Sequence, residues 1–274
     1  MLLPRAIALP PRTASAVAGL FVYECERDTP AVAIPGPRTN IVVRFGSFSH
    51  DGVDAHVFGP QHAAHRKIIR NGQRSVTALL HLGALESVLG VPGSAVAGRI
   101  VALEHLWGAA PTRRLLERLA VARSPIDAAK VLEAAITERL AFAGERRGGA
   151  RLAVDAAPRL TSASVSVVAA ELGVSERHLR RQFLETVGIG PKQFAKLARF
   201  HRALSAVRER GSASWASIAS AAGYYDQAHL IADFRALTGV TPQALLRELR
   251  AAAPIPSSAP REQGGGRRFT TAGS

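Results

Sequence analysis

Residues 169–183 read Ala169-Ala170-Glu171-Leu172-Gly173-Val174-Ser175-Glu176-Arg177-His178-Leu179-Arg180-Arg181-Gln182-Phe183, with Gly188 and Pro191 following. The same order of residue types returns at Ala219, Gly223, His229, Leu230, Phe234, Gly239 and Pro242. Up to the turn glycine the copies are 50 positions apart and beyond it 51, so the second turn carries one extra residue. An internal repeat of this kind marks a duplicated structural unit. With Val165 as first position, Ala169 falls fifth, where a small side chain lets two helices approach. Gly173 falls ninth, where a tight turn needs a positive φ that glycine adopts without a Cβ clash. Val168, Leu172, Val174 and Leu179 are apolar where the helices should touch, and Ser175 is placed to cap the second helix. The pattern predicts a helix-turn-helix whose second helix, Glu176–Thr186, turns Leu179, Phe183 and Leu184 inward.

That helix leaves Arg177, Arg180, Arg181 and Gln182 for the outside, beside Ser175 and His178. Arginine's planar fork can bind guanine O6 and N7 together or grip a phosphate, so the cluster suits the major groove of double-stranded DNA. In the second copy Ser214 and Asp226 are the expected caps, and Gln227–Thr238 packs Leu230, Phe234 and Leu237 inward. Gln227, His229, Ile231 and Arg235 face outward or border the groove, and glutamine can read adenine bidentately. His178 and His229 hold equivalent positions, which suit a ring at the helix junction or on a phosphate better than base reading. Between the copies, Pro191–Arg208 reads as one helix with Phe194, Leu197, Ala198, His201 and Leu204 on its stripe. Such a strut would hold two reading helices at fixed separation, and successive major-groove faces lie about 34 Å apart.

Residues 165–247 resemble the DNA-binding domain of the AraC/XylS family of bacterial transcription regulators. The resemblance rests on the two glycine-centred copies quoted above and on Thr238-Gly239-Val240-Thr241-Pro242. It implies a seven-helix domain with two helix-turn-helix units joined by a long helix. Two departures stand out: Ala232 occupies a position where the family usually has arginine, with Asp233 after it, and Pro158 lies where the opening helix would run. The first reading helix is therefore expected to supply most of the specificity.

Upstream the pattern is that of short strands: Gly19–Glu26, Asn40–Phe45, Val53–Phe58, His65–Arg70 and Ser75–His81. Asn71-Gly72 is a hairpin signal between the last two. Five strands with tight turns suggest a small β-rich sandwich or barrel. Helices are expected over Ala84–Leu89, Val101–Trp107, Pro111–Ala122 and from Pro125, after a Ser124 cap, to Phe142. In that last helix Val131, Leu132, Ala135, Ile136 and Leu140 form a stripe that suits core or a dimer seam. The segment before Gly19, broken by prolines, reads as a loose arm. Strands followed by Leu103–Gly108 resemble the sensor-like domains that precede some regulators of the family. The expected fold is thus α+β: a sensor-like region over 1–146, β-rich and then helical, an all-α DNA-binding region over 147–250, and a disordered Pro- and Gly-rich tail over 251–274. Gly144–Arg151 is the expected linker. The resemblance further implies control by a small-molecule effector or by self-association as a homodimer, and contact with RNA polymerase if the protein activates.

The formal net charge of +14 favours a polyanionic partner. The basicity is not focused, however: residues 159–250 carry +6 and residues 1–158 also +6. Cys25 is the sole cysteine, which excludes an intramolecular disulfide and a Cys-rich zinc site and fits a cytoplasmic protein. It also excludes the zinc-cysteine chemistry of the repair methyltransferase that shares this DNA-binding domain. No phosphate loop, nucleophile elbow or carboxylate pair is present, so neither enzymatic activity nor a cofactor is expected. His50, His56, His62 and His65 crowd the strand region, but without the close pairing and carboxylate of a cupin-like metal site. No apolar run approaches the ~20 residues of a membrane span. The competing readings are a helical protein-interaction adaptor that kept the motif and lost DNA reading, and a cupin-like metal-binding sensor or enzyme.

Overall fold

The computed structural model describes residues 5–46, 52–142, 148–210 and 214–252. In its N-terminal half, side chains alternate as a half-buried sheet demands. Along β4 (Asn40–Phe45) Ile41 and Val43 are buried, and along β5 (Val53–Phe58) Val53, Ala55 and Val57 are. These strands form one antiparallel sheet with β1 (Arg5–Ile7), β2 (Val17–Glu24), β7 (Arg74–Leu80) and β8 (Ile100–Ala102), in the order β1-β2-β7-β4-β5-β8. A separate antiparallel ribbon pairs β3 (Thr29–Ala33) with β6 (His65–Ile69).

Three expectations need correcting here. The N-terminal arm contains β1, which pairs with β2 through Ala6 and Phe21 despite the neighbouring prolines. The Asn71-Gly72 turn forms, with the Gln73 amide donating to the Arg70 carbonyl at 3.1 Å, but the strands it joins do not pair. Instead β6 goes to the ribbon and β7 into the large sheet between β2 and β4. A turn signal is local, whereas strand partners are chosen by where the apolar faces are buried. Finally, the helix expected over Val101–Trp107 is divided into β8 and the short α3 (Glu104–Trp107).

Helices cover the sheet. Besides α1 (Pro11–Ala14), α2 (Leu85–Leu89), α3 and α4 (Ala109–Ala120), α5 (Pro125–Phe142) lies on β2 and β7. The α5 amide of Asp127 donates to the Ser124 hydroxyl at 3.1 Å, the expected cap. Its stripe is core: Leu132, Ala135 and Ile136 are buried, with Val131 and Leu140 packed beside them.

The C-terminal half is all helical. It comprises α6 (Gly148–Arg159), α7 (Val165–Glu171), α8 (Glu176–Val187), α9 (Pro191–Arg210), α10 (Trp215–Ala221), α11 (Gln227–Thr238) and α12 (Pro242–Ala251). Pro158 lies inside α6, where it has no N–H to give the carbonyl one turn back, and the helix ends one residue later at Arg159. Residues Gly148–Arg151 of the expected linker are the first turn of α6. The expected tail begins two residues too early, since Ala251 ends α12 and Ala252 is its buried C-cap; its remainder from Ala253, that of the linker from Gly144 and His50 lie outside the described residues.

The two halves share packing. Val32 of β3 is buried in the same hydrophobic cluster as Phe183, Phe200 and Phe234, with Ile34, Ala64 and Leu82 against it. The Ala64 amide donates to the Leu237 carbonyl at 2.8 Å, and Arg66 donates to the Thr238 carbonyl and to Glu248, both at 2.9 Å. Elsewhere Gly93, in a short 3-10 turn after α2, meets the C-terminal end of α8. A Cβ on Gly93 would lie 2.5 Å from the amide nitrogen of Gly188, and one on Gly188 2.6 Å from the Gly93 carbonyl oxygen. That contact is backbone on backbone.

Candidate nucleic-acid interface

Each repeat folds as a helix-turn-helix, and matching hydrogen bonds fix the equivalences. Gly173 and Gly223 take φ of +66° and +80° at the turns. The next residues close the turns in the same way, Val174 N–H to the Ala169 carbonyl at 3.0 Å and Tyr224 N–H to the Ala219 carbonyl at 2.9 Å. Ser175 accepts from the His178 amide at 3.2 Å and Asp226 from the His229 amide at 2.7 Å, so each caps its reading helix. Ser214 likewise caps α10, accepting from Ser217 N–H.

The strut α9 carries an aromatic residue toward each unit. Phe194 meets Phe183 of α8 edge-on at 5.2 Å between centroids, and Phe200 meets Phe234 of α11 at 4.7 Å. Both α8 and α11 are thereby seated on one helix of 20 residues, about 30 Å long. Arg202, from the same helix, donates to the carbonyls of Thr161 at 2.8 Å and Ala222 at 3.0 Å, tying the segment before α7 to the end of α10.

On α8, Arg177, Arg180 and Arg181 are exposed, while His178 and Gln182 are half-buried. Arg180 pairs with Glu176 one turn back, Arg181 lies 3.3 Å from His178 Nδ1, and Gln182 donates to Glu185 at 3.3 Å. Arg177 has no partner among the described residues. Surface pairs of this kind are weak enough to be exchanged for phosphate or base contacts. Leu184 differs from expectation: it is 44% exposed rather than inward, because the buried stripe of α8 runs through Leu179, Phe183 and Val187.

On α11, Gln227, His229 and Arg235 are exposed. The His229 ring stands edge-on to Tyr224 at 5.3 Å, held at the helix junction. The second unit also contains a charge cluster that the sequence reading did not assign. Asp233 is buried, with Lys196 of α9 at 3.0 Å and both Arg199 and His229 at 4.0 Å. Arg199 in turn lies over the Tyr224 ring at 5.7 Å. The clue was available in helical spacing, since 230, 233, 234 and 237 make one stripe and a carboxylate within it needs cations across the junction. Lys196, Arg199 and Arg202 are therefore engaged inside the domain.

Among the described residues no group of three or more His, Cys, Asp or Glu side chains could hold a metal ion. His56 instead pairs with Asp54 at 3.2 Å, and His65 lies 3.2 Å from Gln61. No helix among those residues is long and apolar enough to cross a membrane.

Residues 168–248 match the family described as a helix-turn-helix domain. That part of the chain is thus a helix-turn-helix domain, as its two glycine-centred turns require. The chain is also similar to ToxT from Vibrio cholerae O395, at 12% identity and a TM-score of 0.41, over 84% of this chain and 97% of that one. Unsaturated fatty acid-bound ToxT from strain SCE256 gives 10% identity and a TM-score of 0.40, over 86% and 97%. No curated protein matches the chain.

Proposed function

We propose that the protein reads a specific DNA sequence with α8 and α11 in adjacent major-groove segments of one duplex, under the control of its N-terminal half. The observation that carries this reading is the mounting of two capped reading helices on one strut by Phe194 and Phe200. Arg177, Arg180, Arg181 and Gln182 are the principal base-edge and phosphate contacts, with Ser175 and His178 at the near end of α8. Gln227, His229 and Arg235 make the smaller contribution of α11. Residues 1–146 form the regulatory part and 147–250 the DNA-binding part, with the β3–β6 ribbon packed as a clasp on the latter. A small-molecule effector or self-association acts by shifting the ribbon and Gly93 contacts, which touch α11, α12 and α8. Engagement of RNA polymerase follows if the protein activates, and its site of action is the cytoplasm.

Selection of duplexes from a random pool by the full chain tests the reading. The expected consensus has two blocks about one helical turn apart, the stronger one recognised by α8. Binding should weaken with salt, because each neutralised phosphate adds about 0.9 to the slope of log K against log salt. A chain that shows no such slope is an adaptor and not a DNA reader.

A further inference from the structure

The one-residue difference between the two units identifies a further contact residue. On the near side of the insertion Val174 and Tyr224 make the same turn-closing hydrogen bond, and on the far side Ser175 and Asp226 are the equivalent caps. The residue without a counterpart is Tyr225. Its neighbour Tyr224 is buried beneath Arg199 and against His229, whereas Tyr225 is 93% exposed. Asp226 follows in extended conformation, φ −153° and ψ 178°, and its carboxylate holds the first turn of α11. An anchored tyrosine on one side and a fixed cap on the other leave little freedom to the residue between them. Tyr225 is thus held outward at the leading end of α11, the end of a reading helix that meets the duplex.

We propose that Tyr225 is a phosphate-contacting residue of the second unit, its hydroxyl donating to a backbone oxygen where α11 enters the groove. The assignment rests on the DNA-reading function proposed above. A phenol carries an O–H donor without a charge, and side-chain hydroxyls are among the groups that set a protein's register on the duplex. It supplements the one outward arginine of α11, Arg235, since α9's Lys196 and Arg199 are turned to Asp233. The contact has no equivalent in the first unit and fixes the register of the second.

The test uses the full chain and a duplex enriched by the wild type from a random pool. Tyr225→Phe keeps the ring and removes the donor, and Tyr225→Ala removes both. Both variants should melt as the wild type does, because the side chain is in solvent. Affinity should fall about tenfold to a hundredfold in Tyr225→Phe, the range of one hydrogen bond to a charged acceptor. The salt slope should not change, because no counterion is released by a phenol. Ethylation of one phosphate in the second half of the site should weaken the wild type by about the factor seen in Tyr225→Phe, and Tyr225→Phe itself by much less. Wild-type affinity in Tyr225→Phe overturns the assignment; if Tyr225→Ala alone then shifts the selected bases, the ring reads a base instead. A wild-type chain that binds no duplex overturns the DNA reading and this assignment with it.

Discussion

The two reading units are built alike and equipped differently. Beyond the turn each α8 residue corresponds to the α11 residue 51 positions later, and His178, Leu179 and Phe183 meet His229, Leu230 and Phe234. The interior is thus repeated, yet Arg177, Arg180, Arg181 and Gln182 correspond to Ala228, Ile231, Ala232 and Asp233. The first unit presents its charges to solvent, while the second turns its carboxylate inward and draws Lys196 and Arg199 with it. Packing constrains the duplicated core, and the outer face is free to diverge. On the function proposed above, the first unit discriminates sequence and the second is held in place.

The helix-ending glycines give the largest expected contrast. Gly188 and Gly239 both have positive φ, +88° and +75°. An added Cβ at Gly239 meets nothing within 4 Å, whereas at Gly188 it meets the Gly93 carbonyl. Gly239→Ala should cost about 1 kcal/mol, the left-handed penalty alone. Gly188→Ala should cost about 2–4 kcal/mol, because overpacking is added. Chemical denaturation of the two variants measures the difference, and equal costs would mean that the seam to Gly93 yields freely.

Acid should act on both units together through the strut. The Nε2–H of His201 on α9 donates to the Pro35 carbonyl at 2.8 Å, and burial pushes its pKa down to about 4 from 6.5. Between these values the unfolded chain binds the proton and the folded one does not, so stability falls as pH drops from about 6.5 to 4. The contribution reaches about 3 kcal/mol near pH 4 and is absent above pH 7. His201→Asn should flatten that part of the profile in thermal melts at stepped pH. An unchanged slope would assign the acid sensitivity to other groups.

Substitution at equivalent positions sharpens the comparison further. Asp233→Asn leaves Lys196 and Arg199 facing a neutral group, and should destabilise the domain by about 2 kcal/mol, the pair being partly solvated. Gln182→Ala, at the matching place on α8, should stay within about 0.5 kcal/mol in the same melts. In binding the order reverses. Arg181→Ala should cost about 1–3 kcal/mol at the selected site and relax one base position, while Arg235→Ala costs less than about 1 kcal/mol. Equal loss of Arg181→Ala on random duplex would make that arginine a phosphate contact. Arginine introduced as Ala232→Arg should steepen the salt slope by about 1, measured by titration at several salt concentrations.

The C-terminal half was legible because its signals are local. Caps at Ser175, Ser214 and Asp226, and glycines at the turns, sit within a few residues of the structure they specify. Helix α11 runs over Gln227–Thr238 as its pattern predicts. Leu184 was misplaced because a stripe passing through Leu179 and Phe183 can widen toward either neighbour, and only Val187 settles which. The N-terminal half was legible in five of its eight described strands, but not in β1, β3 and β8 nor in the pairing of the strands. β4 and β5 fall where alternation puts them, but the pairing of β3 with β6 joins residues 29–33 to 65–69 across two intervening strands. Within the candidate interface, the outward arginines of α8 were readable from spacing, whereas the inward cations of α9 became apparent only once Asp233 had neighbours.

Val32 has a consequence for how such chains evolve. It lies well over a hundred positions before the helices whose interior it completes. A recombination event that imported a foreign C-terminal third would bring a valine-shaped hollow with no guarantee of a tenant, and carbonyls at 237 and 238 with no assured donor. The ribbon and the last two helices are bound to change as a pair, although inheritance hands them down far apart on the gene.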